Sequence, residues 1–172
     1  MVRGVLLSLE IIVASLGLYN LAIAFAGWRN PPPSIGPALE RRPFRVVIPA
    51  YNEERVIERP VNDLLAQLRA GDELWVLADR CSDRTAEVAK EAGAIVVERT
   101  EGPDGKGAAL RWFLEQRPLS TEQALVVIDA DNLCPSNLLS RFGEELGLGH
   151  HVLQAYLDVS NPDQSALATA SA

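Results

Sequence analysis

Two carboxylates at i, i+2, Asp129 and Asp131, close the apolar run Val126-Val127-Ile128. A short β-branched run that stops at charge reads as a buried strand ending at a site. Alternate side chains of an extended chain point the same way, so the two acids converge just beyond the strand end. Two hard oxygen ligands suit Mg²⁺ or Mn²⁺, with the remaining positions left to water and a diphosphate. The competing reading makes them caps of the turn into the next helix.

Three other polar clusters have candidate chemistry. Pro49-Ala50-Tyr51-Asn52-Glu53-Glu54 follows a short apolar run. There Tyr51 is able to stack on a base and Glu53 to accept hydrogen bonds from a ribose or base. Alternatively Glu53 and Glu54 only complement the dipole of the next helix. In Asp79-Arg80-Cys81-Ser82-Asp83, Asp79 is an acceptor suited to the N–H edge of a pyrimidine, and Asp83 reads as a helix cap. Gly105-Lys106-Gly107 opens a helix, where close backbone approach, the helix N-terminus and the lysine all favour phosphate. It lacks the earlier glycine and the Ser/Thr of a Walker A loop, and it is also what an ordinary flexible loop looks like.

The elements that must position these residues alternate. Strands are expected over 45–49, 73–78, 94–98, 125–129 and 152–159. Helices are expected over 54–69, from Ser82 or Asp83 to Ala92, from Gly107 to near Arg117, and from Pro135 or Ser136. Pro60 either kinks the first of these helices or marks its start. Alternation of this kind implies right-handed crossovers and a mainly parallel sheet, with ligands beyond the carboxyl ends of the strands. All four clusters fall at those ends.

Ahead of this domain, residues 5–27 are almost wholly apolar, interrupted by Glu10 and Asn20. As a helix they span about 34 Å, against a hydrocarbon core of about 30 Å. One acid near the bilayer centre costs about 3 kcal/mol, less than the apolar residues around it return. The segment therefore reads as a retained transmembrane helix over 1–28. Ala22-Ile23-Ala24 and Ala24-Phe25-Ala26 resemble signal cleavage sites, but the stretch is long for a signal. Arg29, Arg41, Arg42 and Arg45 follow it and only Arg3 precedes it, which predicts a cell-membrane protein with a cytoplasmic soluble domain. Pro31-Pro32-Pro33 and Gly36-Pro37 make 29–43 a stiff linker, and 166–172 a frayed tail.

The 172 residues, 48% hydrophobic, allow one real core plus an appendage. A net charge of −7 argues against a nucleic-acid partner. Cys81 and Cys134 lack zinc-type spacing and read as reduced thiols.

Taken in order, Val47-Ile48-Pro49-Ala50-Tyr51-Asn52-Glu53-Glu54, Asp79 to Thr85, Gly105-Lys106-Gly107-Ala108-Ala109-Leu110 and Asp129-Ala130-Asp131-Asn132 resemble a family 2 glycosyltransferase of the GT-A fold. Residues 154–163 resemble its exopolysaccharide and cellulose-synthase-like branch, and the likeness covers 44–165. It implies an α/β Rossmann-like sheet, a UDP-type sugar donor, a glycan acceptor, Mg²⁺ or Mn²⁺, and inverting transfer. By the same resemblance Ala50, Tyr51 and Glu53 line the nucleoside pocket and Asp79 contacts the base. Lys106 lies near the phosphates, Asp129 approaches ribose and metal, and Asp131 binds the metal. The family's general base belongs to a later acidic motif, followed in processive members by Gln-x-x-Arg-Trp. Neither is recognisable here, and Arg111-Trp112 is not that motif because Ala108 stands where Gln would be. Glu144, Glu145, Asp158 and Asp163 read as surface or turn residues. The chain thus reads as the donor-binding half of a transferase, its base expected beyond residue 172, or as a binding module without turnover. An Asp-x-Asp phosphatase would carry its motif after the first strand, and a nucleotidyltransferase a Gly-rich basic loop there; neither pattern is present.

Overall fold

The computed structural model describes residues 2–29 and 42–155. The chain divides into two compact units, Met1–Ile35 and Gly36–Ala172. The described part of the first is one 28-residue helix, α1 (Val2–Arg29). All of its side chains from Glu10 to Ala26 are exposed. Two of its polar side chains fold back on the helix: Ser15 Oγ donates to the Ile11 carbonyl (2.7 Å) and Asn20 Nδ2 to that of Leu16 (2.8 Å). Among the described residues no helix is long and apolar enough to cross a membrane. The proline-rich linker from 30 to 41 lies outside the described residues.

The second unit is a four-stranded parallel sheet in the order β3-β2-β1-β4. Its strands are β1 (Phe44–Ala50), β2 (Glu73–Asp79), β3 (Ile95–Arg99) and β4 (Ala124–Val127). The helices between and after them are α2 (Glu58–Leu65), α3 (Thr85–Glu91), α4 (Lys106–Gln116) and α5 (Leu138–Gly147). The order explains the layering. From β1 to β3 the chain steps along the sheet with α2 and α3 on one face. It then returns past β1 to β4, and a right-handed crossover in that direction requires α4 on the other face. The period-two alternation follows suit. Phe44, Val46, Ile48, Leu74, Val76, Val126 and Ile128 pack with α2, α3 and α5, whereas Val47, Trp75, Leu77, Val97 and Leu125 pack against Ala109 and Phe113 of α4. Trp75 meets Phe113 edge-on, with ring centroids 5.6 Å apart. Arg45 ties the opposite rim, pairing with Glu73 (3.0 Å) and donating to the Arg117 carbonyl (2.9 Å) at the end of α4.

Several element boundaries differ from expectation. Residues 54–57 form turns, and α2 begins at Glu58 with Pro60 buried in its first turn. A proline there has no N–H to give and would clash with the carbonyl four residues back, so it marks the helix start. After Leu65 the chain tightens, Gln67 N–H reaching the Leu64 carbonyl (2.9 Å), well short of Arg69. β4 stops at Val127, although Ile128 N–H still reaches the Val47 carbonyl (3.1 Å). The expected fifth strand is not formed over 152–155, which carry no regular structure, and its remainder lies outside the described residues, as do 166–172. The end of α3 matches expectation: Gly93 at φ +102° is the left-handed C′ residue. Its N–H reaches the Lys90 carbonyl (3.0 Å), and that of Ala94 reaches Ala89 (3.1 Å).

Candidate functional site

The strand order reverses between β1 and β4, and at such a switch point open α/β sheets take ligands at the carboxyl rim. The loops after β1 and β2 lie at this rim and are locked together. Asn52, at φ +56°, accepts from Ser82 N–H (2.7 Å) and Ser82 Oγ (3.3 Å). Asparagine tolerates that left-handed conformation better than most residues. Glu53 N–H donates to Thr85 Oγ1 (2.8 Å), Glu54 N–H to Asp83 Oδ2 (3.1 Å), and Arg84 N–H back to Glu54 Oε2 (3.0 Å). Cys81 Sγ joins the same web, donating to the Ala50 carbonyl and accepting from Asn52 N–H. Thr85 is wholly buried, which makes it the hub of this lock. In the sequence it figures only as the last residue of the run Asp79 to Thr85.

Asp83 acts as the predicted cap of α3, one residue ahead of the formal N-cap Arg84. Its Oδ1 accepts from Thr85 N–H at 3.0 Å and from the Thr85 hydroxyl. Desolvation pushes its carboxyl up, but the donors of Thr85 and Glu54 outweigh it, and the net value falls below the usual carboxylate range. Above this lock Tyr51 is 60% exposed, with its ring open to a stacking partner, while Ala50 is buried at the end of β1.

Asp79 ends β2 in register with Arg99 at the end of β3. It is buried, and two guanidiniums hold it: Arg99 Nη1 reaches Oδ1 at 2.7 Å, while Arg80 reaches Oδ1 at 3.2 Å and Oδ2 at 3.1 Å. Arg80 sits at φ +53° and also pairs with Asp104 in the next loop. Asp79 first, then Asp104, stabilise its charge and raise its proton affinity. Neither arginine was singled out from sequence. An arginine closing a strand that opens on three apolar residues, Ile95-Val96-Val97, is the signal that could have found the second.

Asp79 and Arg99 continue the side-chain alternation of Leu77 and Val97, which face α4. Asp129 continues that of Leu125 on the same face. The first residue of α4 is Lys106, and its Nζ forms an ion pair with Asp129 Oδ1. Gly105, the N-cap, takes φ +101°, which a side chain would resist. Gly107 is different: a Cβ there would meet nothing within 4 Å, so neither strain nor crowding within the chain demands glycine. Asp131 does not sit on an extended strand. Asn132 N–H reaches the Asp129 carbonyl (3.2 Å), so 129–132 is a turn with Asp129 half-exposed, Ala130 buried and Asp131 exposed. Asp131 makes no hydrogen bond or ion pair with a described residue. No cluster of three His, Cys, Asp or Glu suited to a metal occurs among the described residues. The acids at 144 and 145 are engaged on α5, with Arg141 (3.5 Å) and His150 (3.4 Å). Both cysteines are free, and burial, with Asp63 nearby, pushes the Cys134 thiol up.

A parallel sheet with helices on both faces and charged side chains at its switch point defines a GT-A-like α/β fold. Residues 45–165 match the glycosyl transferase family 2 profile, and the chain belongs to that family. It is 32% identical over 109 residues to a dolichyl-phosphate hexose transferase of Haloferax volcanii, covering 63% of this chain and 45% of that one. It is 35% identical over 66 residues to protein RfbJ of Shigella flexneri, covering 38% and 49%. The chain thus spans about half the length of these curated relatives. Among solved structures, glucosyl-3-phosphoglycerate synthase from Mycobacterium tuberculosis with uridine diphosphate aligns at TM-score 0.50 and 32% identity, over 58% of this chain and 38% of that one. The same enzyme with Mn²⁺, uridine diphosphate and glucosyl-3-phosphoglycerate gives 0.50 and 32%, over 58% and 37%.

Proposed function

We propose that this chain binds a nucleotide sugar, UDP-linked, across the carboxyl rim of its sheet, as the donor-binding part of an inverting, metal-dependent transferase that passes the sugar to a glycan acceptor in exopolysaccharide synthesis. The observation that carries the reading is the Lys106–Asp129 pair. It joins a helix N-terminus to the first acid of the Asp-x-Asp pair beyond the sheet edge, and the two lie 23 residues apart. In this reading Tyr51 stacks on the base, with Ala50 and Glu53 beside it. Asp79 accepts from the base through the lone-pair capacity its arginines leave free. Lys106 and the open start of α4 take the diphosphate, and Asp129 turns to the ribose.

The residues fit Mg²⁺ or Mn²⁺. The unengaged carboxylate of Asp131, with Asp129 beside it, is an all-oxygen donor set that leaves positions for water and phosphate. Bound there, the ion supplies charge neutralisation for the diphosphate leaving group. The experiment is isothermal titration with UDP and Mn²⁺. Binding is expected to need the metal and to fall at least about tenfold in Asp131→Ala; equal binding by both proteins would remove the metal role.

A second reading, donor binding without turnover, is favoured by the engagement of Glu144 and Glu145 with Arg141 and His150, which leaves neither as a ready base. Donor hydrolysis and transfer assays on this chain separate the two. We further infer that the 1–28 segment anchors the protein in the cell membrane with the second unit on the cytoplasmic side. Support comes from the apolar run over 5–27, its helicity and the arginines that follow it.

A further inference from the structure

We propose that Arg99 is a positioning residue that sets the distance between the base end and the phosphate end of the donor site; this rests on the donor reading above. Arg99 is 2% exposed, at the end of β3. A buried cation is costly, and here the Nε–H has no hydrogen-bond partner. Sheet packing does not ask for it, since an apolar residue would close the strand at less cost. What the guanidinium does is hold two things at once. One arm donates to Asp79 Oδ1 (2.7 Å), and the other donates to the Pro103 carbonyl (2.7 Å). Its own carbonyl accepts from Arg80 N–H (2.7 Å), fixing the turn after β2. Gly102 lies flat against it: a Cβ at that position would overlap Nη2 and lie 3.0 Å from Cζ, and its φ is +121°. Arg80, gripping Asp79 and Asp104, makes a second and more exposed tie between the same two segments. The loop so held, 100–105, leads directly into Lys106. A planar fork spans Asp79 and Pro103; the single ammonium of a lysine does not.

The test compares wild type, Arg99→Lys and Gly102→Ala, each as the full chain. Amide hydrogen exchange over 101–107 is measured without ligand, and titrations use UDP and uridine, both with Mn²⁺. Arg99→Lys keeps a charge beside Asp79, so uridine affinity is expected to stay within about twofold while UDP affinity falls about tenfold and the loop amides exchange faster. Gly102→Ala is expected to shift the same ratio in the same direction with Arg99 untouched, and decides the matter if Arg99→Lys fails to fold. A purely structural role would lower uridine and UDP affinity together. Variants with the wild-type UDP-to-uridine ratio and unchanged loop exchange overturn the proposal. If wild type binds neither ligand, the donor reading falls, and the exchange rates alone decide whether Arg99 anchors the loop.

Discussion

Asp83 shows how one side chain serves two loops. It caps α3 through Thr85 and holds Glu54 N–H in the loop after β1, and its carboxyl titrates below the ordinary range. A depressed carboxylate contributes stability that is present above its unfolded value, about 3.9, and is lost as pH falls through the folded value. Wild type is therefore expected to lose more of its denaturant midpoint than Asp83→Asn does between about pH 5 and pH 2. Parallel denaturation curves across that window check it; equal losses would mean that the contact contributes no linkage. At this scale the candidate residues Lys106, Asp129 and Asp131 stand out by type and spacing. Arg99 and Thr85 do not, because their importance lies in what they touch across the sheet, and neither residue type is diagnostic of burial.

At the scale of elements, α4 is the part whose sequence and fold pull apart. Gly107 stands in its first turn, where glycine disfavours helix by roughly 0.5–1 kcal/mol relative to alanine, and the chain itself leaves the space above it open. On the donor reading proposed above, the missing side chain leaves room for the diphosphate to approach the backbone. Gly107→Ala is expected to raise stability by roughly 0.5–1 kcal/mol in chemical denaturation while weakening UDP binding. A variant that gains stability and binds UDP as tightly as before would return Gly107 to an ordinary loop-to-helix junction. The four strands of the sheet were legible to within about two residues because burial on both faces favours apolar runs, whereas the expected fifth is not formed over 152–155. The starts of α2 and α5 were less legible. Pro60 delays the first; the second begins at Leu138, after Asn137, rather than at the preceding Pro135 or Ser136.

For the molecule as a whole, two units of different character share one chain. The second has a core on each face of the sheet, with Phe44, Ile48 and Leu64 on one side and Val47, Leu77 and Phe113 on the other. The first offers α1, with Ile11, Leu16, Leu18, Leu21 and Phe25 exposed. The membrane anchor proposed above would give that apolar surface an apolar surround. The full chain is expected to float with liposomes in a density gradient, and Leu16→Glu to reduce the floated fraction, since an acid near the bilayer centre costs about 3 kcal/mol. Equal flotation of the two proteins would count against insertion of α1.

The order of strand and helix, the family and the identity of the charged residues at the strand ends were already determined along the chain. Each depends on local pattern: runs of apolar residues, glycine and proline punctuation, and spacing within a few positions. Only the tertiary structure decided which of those residues meet. The return of the chain past β1 puts α4 on the opposite face and brings Lys106 to Asp129. The parallel register of β2 and β3 sets Arg99 beside Asp79, and the turn at 129–132 lifts Asp131 into solvent. Contacts between residues 20 or more positions apart depend on crossover handedness and strand register, which arise from packing the whole sheet and leave no local mark in the sequence.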